Sequence, residues 1–270
     1  MSIRLRQVAL VGNEYEKTEK LLKDILGLSV AYRDPGNRPG IEAGVSIFGL
    51  RNFVMPIGNQ FLELVAPIDD EIDTSAGRYI DRRSGPGGYM LLFQVPKSDF
   101  NDYRNRLTSL GIREIAGESI TGSESEAVHL HPKDFPGCIT EFRWCINEEN
   151  EDGDWWPVER NWRENRNTEV VSSIAGAEIQ TTDPLALSGL WSQVLNVPKR
   201  GNGAEHSLTL SSGVTIRFVE PTDGRPEGLS AIDLIVKNPQ NVLEVATLHN
   251  CETESDNFVI SGLRFNVQAD

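Results

Sequence analysis

The chain has little of what the commonest site chemistries require. Its 270 residues include four histidines, three cysteines and three methionines. Cys138, Cys145 and Cys251 are odd in number and form no C-x-x-C pair, which argues for a reducing compartment and plain packing roles. Basic residues number 26 against 40 acidic, a formal charge of -14. That balance disfavours non-specific nucleic-acid binding, which needs a basic surface to displace counterions. No segment approaches the roughly 18 apolar residues of a membrane span. The N-terminus, MSIRLRQVALVG, is a poor export signal because its apolar run is short and leads straight into an amphipathic helix. Cytoplasmic residence is the expectation. A G-x-G-x-x-G after the first strand, a P-loop and a G-x-S-x-G elbow are all missing from the sequence. Its aromatics are not interleaved with Lys and Arg as a nucleic-acid platform would need.

What is present is a repeat. With 24 Gly and 14 Pro, the composition suits a turn-rich α+β protein. Leu5 to Val11 reads as a strand, and Asn13 to Leu26 as a helix with an apolar stripe of Leu21, Leu22, Ile25 and Leu26, capped by Gly27. A Pro/Gly-rich loop, Asp34 to Gly44, follows, and then three short strands, Val45–Phe48, Arg51–Met55 and Gln60–Val65. The order returns from Met90 through a helix over residues 97–111 to the strands 112–115, 126–131 and 138–144. It returns again from Ile174, where Asp183-Pro184 starts a helix. A fourth, shortened unit runs from Ala231 to Val267. Such repetition implies units that cover one another's apolar faces. It divides the chain into a first domain at 1–146 (modules 1–66 and 84–146), a Trp-rich linker at 147–171 and a degenerate second domain at 172–270. Three Trp in the linker predict packing rather than a bare spacer.

On QVALV, the Leu-Gly-Leu helix stop, FLELVAP and HLHPKD-PG-ITEF, the chain resembles the vicinal oxygen chelate superfamily, the glyoxalase, bleomycin-resistance and extradiol dioxygenase group. The resemblance covers residues 3–145 and, through repeat order, 172–268. It implies an α+β fold of four βαβββ modules paired into two open, curled mixed sheets with helices outside. Family metal ligands come from the first and last strands of each module, here Gln7, Glu63, Met90 and Glu141. Histidine is missing from both first-strand positions, and a thioether is a soft ligand among hard oxygens. No resident metal is therefore expected; the runner-up is a divalent ion held by Gln7, Glu63 and Glu141. In the second half Gly176, Arg217, Ala231 and Arg264 fall at the corresponding places, so that half is not a metal site.

Glu63 and Glu141 are the candidate catalytic pair, each a carboxylate inside an apolar strand. If both face one cavity, their repulsion should leave one with a raised pKa. The alternative for each is a salt bridge or a solvated strand face. Gln7, Tyr89, Met90, Arg143, His129 and His131 are the candidate substrate-binding residues. The i, i+2 spacing of the histidines puts both on one strand face, and Arg143 shares the face of Glu141, as an anion contact or an ion pair. Three functions compete: an acid–base enzyme of isomerase, lyase or hydrolase type on a small organic molecule; a ligand-sequestering protein of the bleomycin-resistance kind; and a divalent-metal lyase or dioxygenase. The expected partners are a small molecule and a second copy in a homodimer, with neither nucleic acid nor membrane.

Overall fold

A computed structural model describes residues 2–36, 44–69, 71–115, 124–158, 161–201 and 206–270. Module one comprises β1 (Arg4–Val11), α1 (Tyr15–Leu26), β2 (Tyr32–Arg33), β3 (Leu50–Ile57) and β4 (Gln60–Pro67). After α2 (Ser75–Arg82) comes module two: β5 (Gly87–Gln94), α3 (Phe100–Ser109), β6 (Glu114–Ile115), β7 (Ser125–Leu130) and β8 (Ile139–Cys145). Module three is β9 (Val171–Gln180), α4 (Pro184–Leu195), β10 (Lys199–Arg200), β11 (His206–Thr209) and β12 (Thr215–Val219). The last module, β13 (Gly228–Val236), α5 (Pro239–Leu248), β14 (Asn257–Ile260) and β15 (Leu263–Ala269), lacks one strand of the pattern, as its shortness in sequence implied.

Local chemistry explains most boundaries. Gly27 closes α1 at φ 67 and donates its N–H to Lys23 O, a left-handed cap that costs glycine nothing. Asp183 accepts from the Ala186 N–H ahead of Pro184 at the start of α4. One expectation fails: Val45–Phe48 is a turn of 3-10 helix rather than a strand. Gly49, at φ 73, donates back to Ser46 O and curls the segment before it can pair. Residues 37–43 of the loop expected from Asp34 to Gly44 lie outside the described residues.

The modules pair into two mixed sheets, ordered β2-β3-β4-β1-β5-β8-β7-β6 and β10-β11-β12-β9-β13-β15-β14. In each, the first and last strands of a module run parallel, and the two modules meet through an antiparallel pair, β1–β5 or β9–β13. Strand alternation gives every central strand two destinations. Val8, Leu10, Leu64, Phe93 and Phe142 of the first sheet enter one continuous core with Ala177, Ile216, Phe218, Ile232 and Phe265 of the second. Trp191 of α4 lies fully buried between Phe93, Phe135 and Phe218. The opposite, concave faces carry buried carboxylates, Glu63 and Glu141 on the first sheet and Glu178 and Asp233 on the second.

The segment between the sheets is packed. Trp155 and Trp162 are fully buried; Trp155 stacks on Phe61 at 6.3 Å between ring centres, and Trp162 meets it edge-on at 5.0 Å. Arg6 is also wholly buried, 5.2 to 5.8 Å from all three rings, and donates to the carbonyls of Asn59, Glu151 and Gly153. The guanidinium therefore clamps the segment onto β1 and β4 through cation–π and charge-assisted contacts.

Candidate functional site

Glu63 projects from β4 onto the concave face of the first sheet and is 6% exposed. Its register partners are Ala9 on β1 and Val54 on β3, so neither neighbour offers it a charge. Two amides serve it instead: Gln7 Nε2 donates to Oε2 at 2.7 Å, and Asn52 Nδ2 donates to Oε1 at 2.6 Å. The Gln7 carbonyl oxygen in turn accepts from Trp155 Nε1 at 2.7 Å. The indole donor thus sets which end of the Gln7 amide faces the carboxylate.

Glu141, 2% exposed on β8, has the opposite surroundings. Arg143 donates to it through Nε at 2.7 Å and through its second terminal nitrogen at 3.1 Å, and His129 Nε2 lies 2.9 Å from Oε2. Arg143 also donates to Ser125 Oγ and lies 4.8 Å from the Trp156 ring centre. Burial pushes the Glu63 carboxyl up to about 7, against the two amide hydrogen bonds and with a smaller push from the Glu141 charge. Burial acts the same way on Glu141, but Arg143 and His129 outweigh it and hold that carboxyl at about 2. The two carboxylates lie on one face of the sheet and influence each other, yet repulsion is the lesser cause of the split.

The other candidates divide. Met90, half-buried, faces the same concavity and touches the apolar groups on both sides of it. Tyr89 sits at a bulge between Ala9 and Leu10 and packs edge-on to Tyr79 of α2 at 4.9 Å. His131 is outside the site. β7 ends at Leu130, and His131 Nδ1 caps the Lys133 N–H in the following turn. The expected shared face of the two histidines is lost where the strand stops. Asn52 and Trp155 were not among the candidates; a lone Asn in the apolar strand RNFVMPI was the available signal for the first. For Trp155 the sequence offered only an aromatic in a linker.

The donors present do not suit a divalent ion. Gln7 Oε1 is taken by an indole, both Glu63 oxygens by amides, and Glu141 by a cation and an imidazole. Met90 adds only a soft sulfur. Among the described residues no group of three or more His, Cys, Asp or Glu side chains is placed to hold a metal.

The second concave face corrects one equivalence. Glu63 pairs with Ala9 across β1–β4 and Arg217 pairs with Glu178 across β9–β12, so Arg217 does stand where Glu63 stood. On the far side, Leu92 pairs with Glu141 and Asp233 with Asn266, whereas Arg264 pairs with Ala231 as Ile139 pairs with Met90. Asn266, not Arg264, therefore corresponds to Glu141.

This module pairing and strand order are those of the vicinal oxygen chelate superfamily, and the chain has that fold. A 4-hydroxymandelate synthase variant from Streptomyces coelicolor superposes with a TM-score of 0.66 at 13% identity, over 93% of this chain and 76% of its own. The Mn(II)-bound glyoxalase of Novosphingobium aromaticivorans gives 0.66 at 10% identity, over 98% and 81%. In sequence, an ethylmalonyl-CoA/methylmalonyl-CoA epimerase from Cereibacter sphaeroides is 26% identical over 140 residues, 51% of this chain and 95% of the epimerase. No protein-family model matches the chain.

Proposed function

We propose that the first concave face carries out proton transfer at a carbon next to a carbonyl, an isomerase-type reaction on a small organic molecule without a resident metal. The observation that carries the reading is the pair of buried carboxylates on one face, one cradled by neutral amides and the other neutralised by Arg143. Environments that drive the pKa values of neighbouring carboxyl groups apart separate a proton acceptor from a fixed charge. Glu63, half ionised near neutrality, takes the proton: the C–H bond breaks, an O–H bond forms on the carboxylate, and the electron pair moves into the carbonyl. The buried Arg143 cation supplies the electrostatic complement for the resulting negative charge, and Glu141 with His129 keeps it oriented. Half-buried Met90, Ile139 and Trp156 form the side on which substrate is received. The epimerase likeness, spanning half of this chain, supports the isomerase class. The free, largely buried cysteines support a reducing compartment.

The test is deuterium uptake from D2O at the α-carbon of acyl thioesters, beginning with methylmalonyl-CoA. Glu63→Gln should lower the exchange rate by about a hundredfold or more with the fold intact by circular dichroism. Stoichiometric ligand capture without exchange, indifferent to Glu63→Gln, would replace this reading with sequestration.

A further inference from the structure

The second concave face contains an open cavity of about 500 Å³ that the chemistry above does not use. Its floor is ionic. Arg217 holds Asp233 with both terminal nitrogens and reaches Glu178 at 3.4 Å; Arg264 pairs with Glu178, and Asn266 donates to Asp233 at 2.8 Å. Glu178 and Asp233 are 9% and 4% exposed, so each carboxylate lies at the bottom with its positive partner above it. Gly176 is part of the construction, since a side chain there would collide with the Asp233 carboxylate.

Such a floor is costly if it only holds a sheet together. Well-packed apolar residues in place of buried ion pairs are commonly as stable or more so. The arginines are also incompletely used. The side chains of Arg217 and Arg264 are 33% and 29% exposed. Arg264 lines the cavity and spends one terminal nitrogen on Glu178, and its remaining N–H groups have no partner among the described residues. At the rim, Glu254 and Asp256 are exposed and, among the described residues, bind only neutral donors such as the Asn257 amide. Charge is therefore balanced at the floor and left negative at the rim.

We infer that this cavity is a second small-molecule site, taking a zwitterion whose carboxylate lies on the free donors of Arg264 and whose ammonium lies between Glu254 and Asp256. Guanidinium donors recognise a carboxylate, and the acidic rim, on a chain with formal charge -14, attracts the cationic end. The two ends call for a ligand carrying both charges rather than a simple anion or a simple amine.

Calorimetric titration of the full chain tests this with 4-aminobutanoate and 6-aminohexanoate, compared with hexanoate and 1-hexylamine. At least one zwitterion should bind about tenfold or more tighter than either singly charged compound. Arg264→Met should reduce zwitterion binding to the level of the amine, and Asp256→Asn, an exposed change that leaves the ionic floor intact, should weaken it several-fold. Deuterium uptake at the α-carbon of the acyl thioester should be unchanged by Asp256→Asn. The proposal is overturned if neither zwitterion binds, if hexylamine binds as tightly, or if both variants bind like the parent.

Discussion

At the scale of single residues, the first site turns on an amide that can point either way. Gln7 presents Nε2 to Glu63 because Trp155 donates to its oxygen. Trp155→Phe keeps much of the aromatic packing and removes that donor. Gln7 is then free to turn its oxygen toward the carboxylate, which disfavours the anion. The inflection of the exchange rate with pH should move upward from about 7 and the rate at neutral pH should fall severalfold; an unmoved profile would deny Trp155 its positioning role. In the parent protein the rate should rise with pH through that inflection, because the ionised form is the base. Stability runs the other way. The folded state keeps the Glu63 proton between pH 4.5 and about 7 while the unfolded chain releases it, so stability falls as pH rises through this window. Glu63→Gln should flatten that slope in thermal melts. For Glu141, held at about 2, the loss occurs instead as pH falls below the ordinary carboxylate range.

At the scale of elements, strand β5 crosses β13 with almost no clearance. A side chain at Gly88 would lie 2.5 Å from Leu229 Cγ and 2.6 Å from its carbonyl oxygen. Gly88→Ala should therefore destabilise by about 1–3 kcal/mol or more, as overpacking does, read as a lower denaturant midpoint. Sequence patterning made most elements legible, because strand alternation, Gly27 and Asp183-Pro184 are local signals. Val45–Phe48 was not, since its apolar run is strand-like and the curl depends on Gly49. Placing Arg264 at the position equivalent to Glu141 failed for a related reason. Sequence spacing could not count the register across β13–β15, where Asn266 holds that position. Glu63 and Glu141 were visible as carboxylates in apolar strands, but the contacts that divide their roles were only partly so. Arg143 lies two residues from Glu141, whereas Trp155 meets Gln7 across 148 residues.

At the scale of the whole molecule, the two sheets share their core. Trp191 of the second half completes a cluster with Phe93 and Phe135 of the first. The Gln60 amide both donates to Ile174 O at 3.0 Å and accepts from Ile174 N–H at 2.8 Å, so it acts as a backbone partner for β9. The full chain should unfold in a single cooperative transition. A fragment of residues 1–146 should fail to give one and should bind a hydrophobic dye, because it loses Trp191 and the linker indoles; a sharp melt from that fragment would show that the halves are separable.

The indole over Gln7 also imposes an order on biosynthesis. Gln7 is translated well ahead of its partner, and its carbonyl waits 148 residues for its donor. Until then nothing holds the amide, and Glu63 sits beside an undecided neighbour. The hydrogen-bond chain from indole to amide to carboxylate is therefore complete only when translation has passed the tryptophan segment.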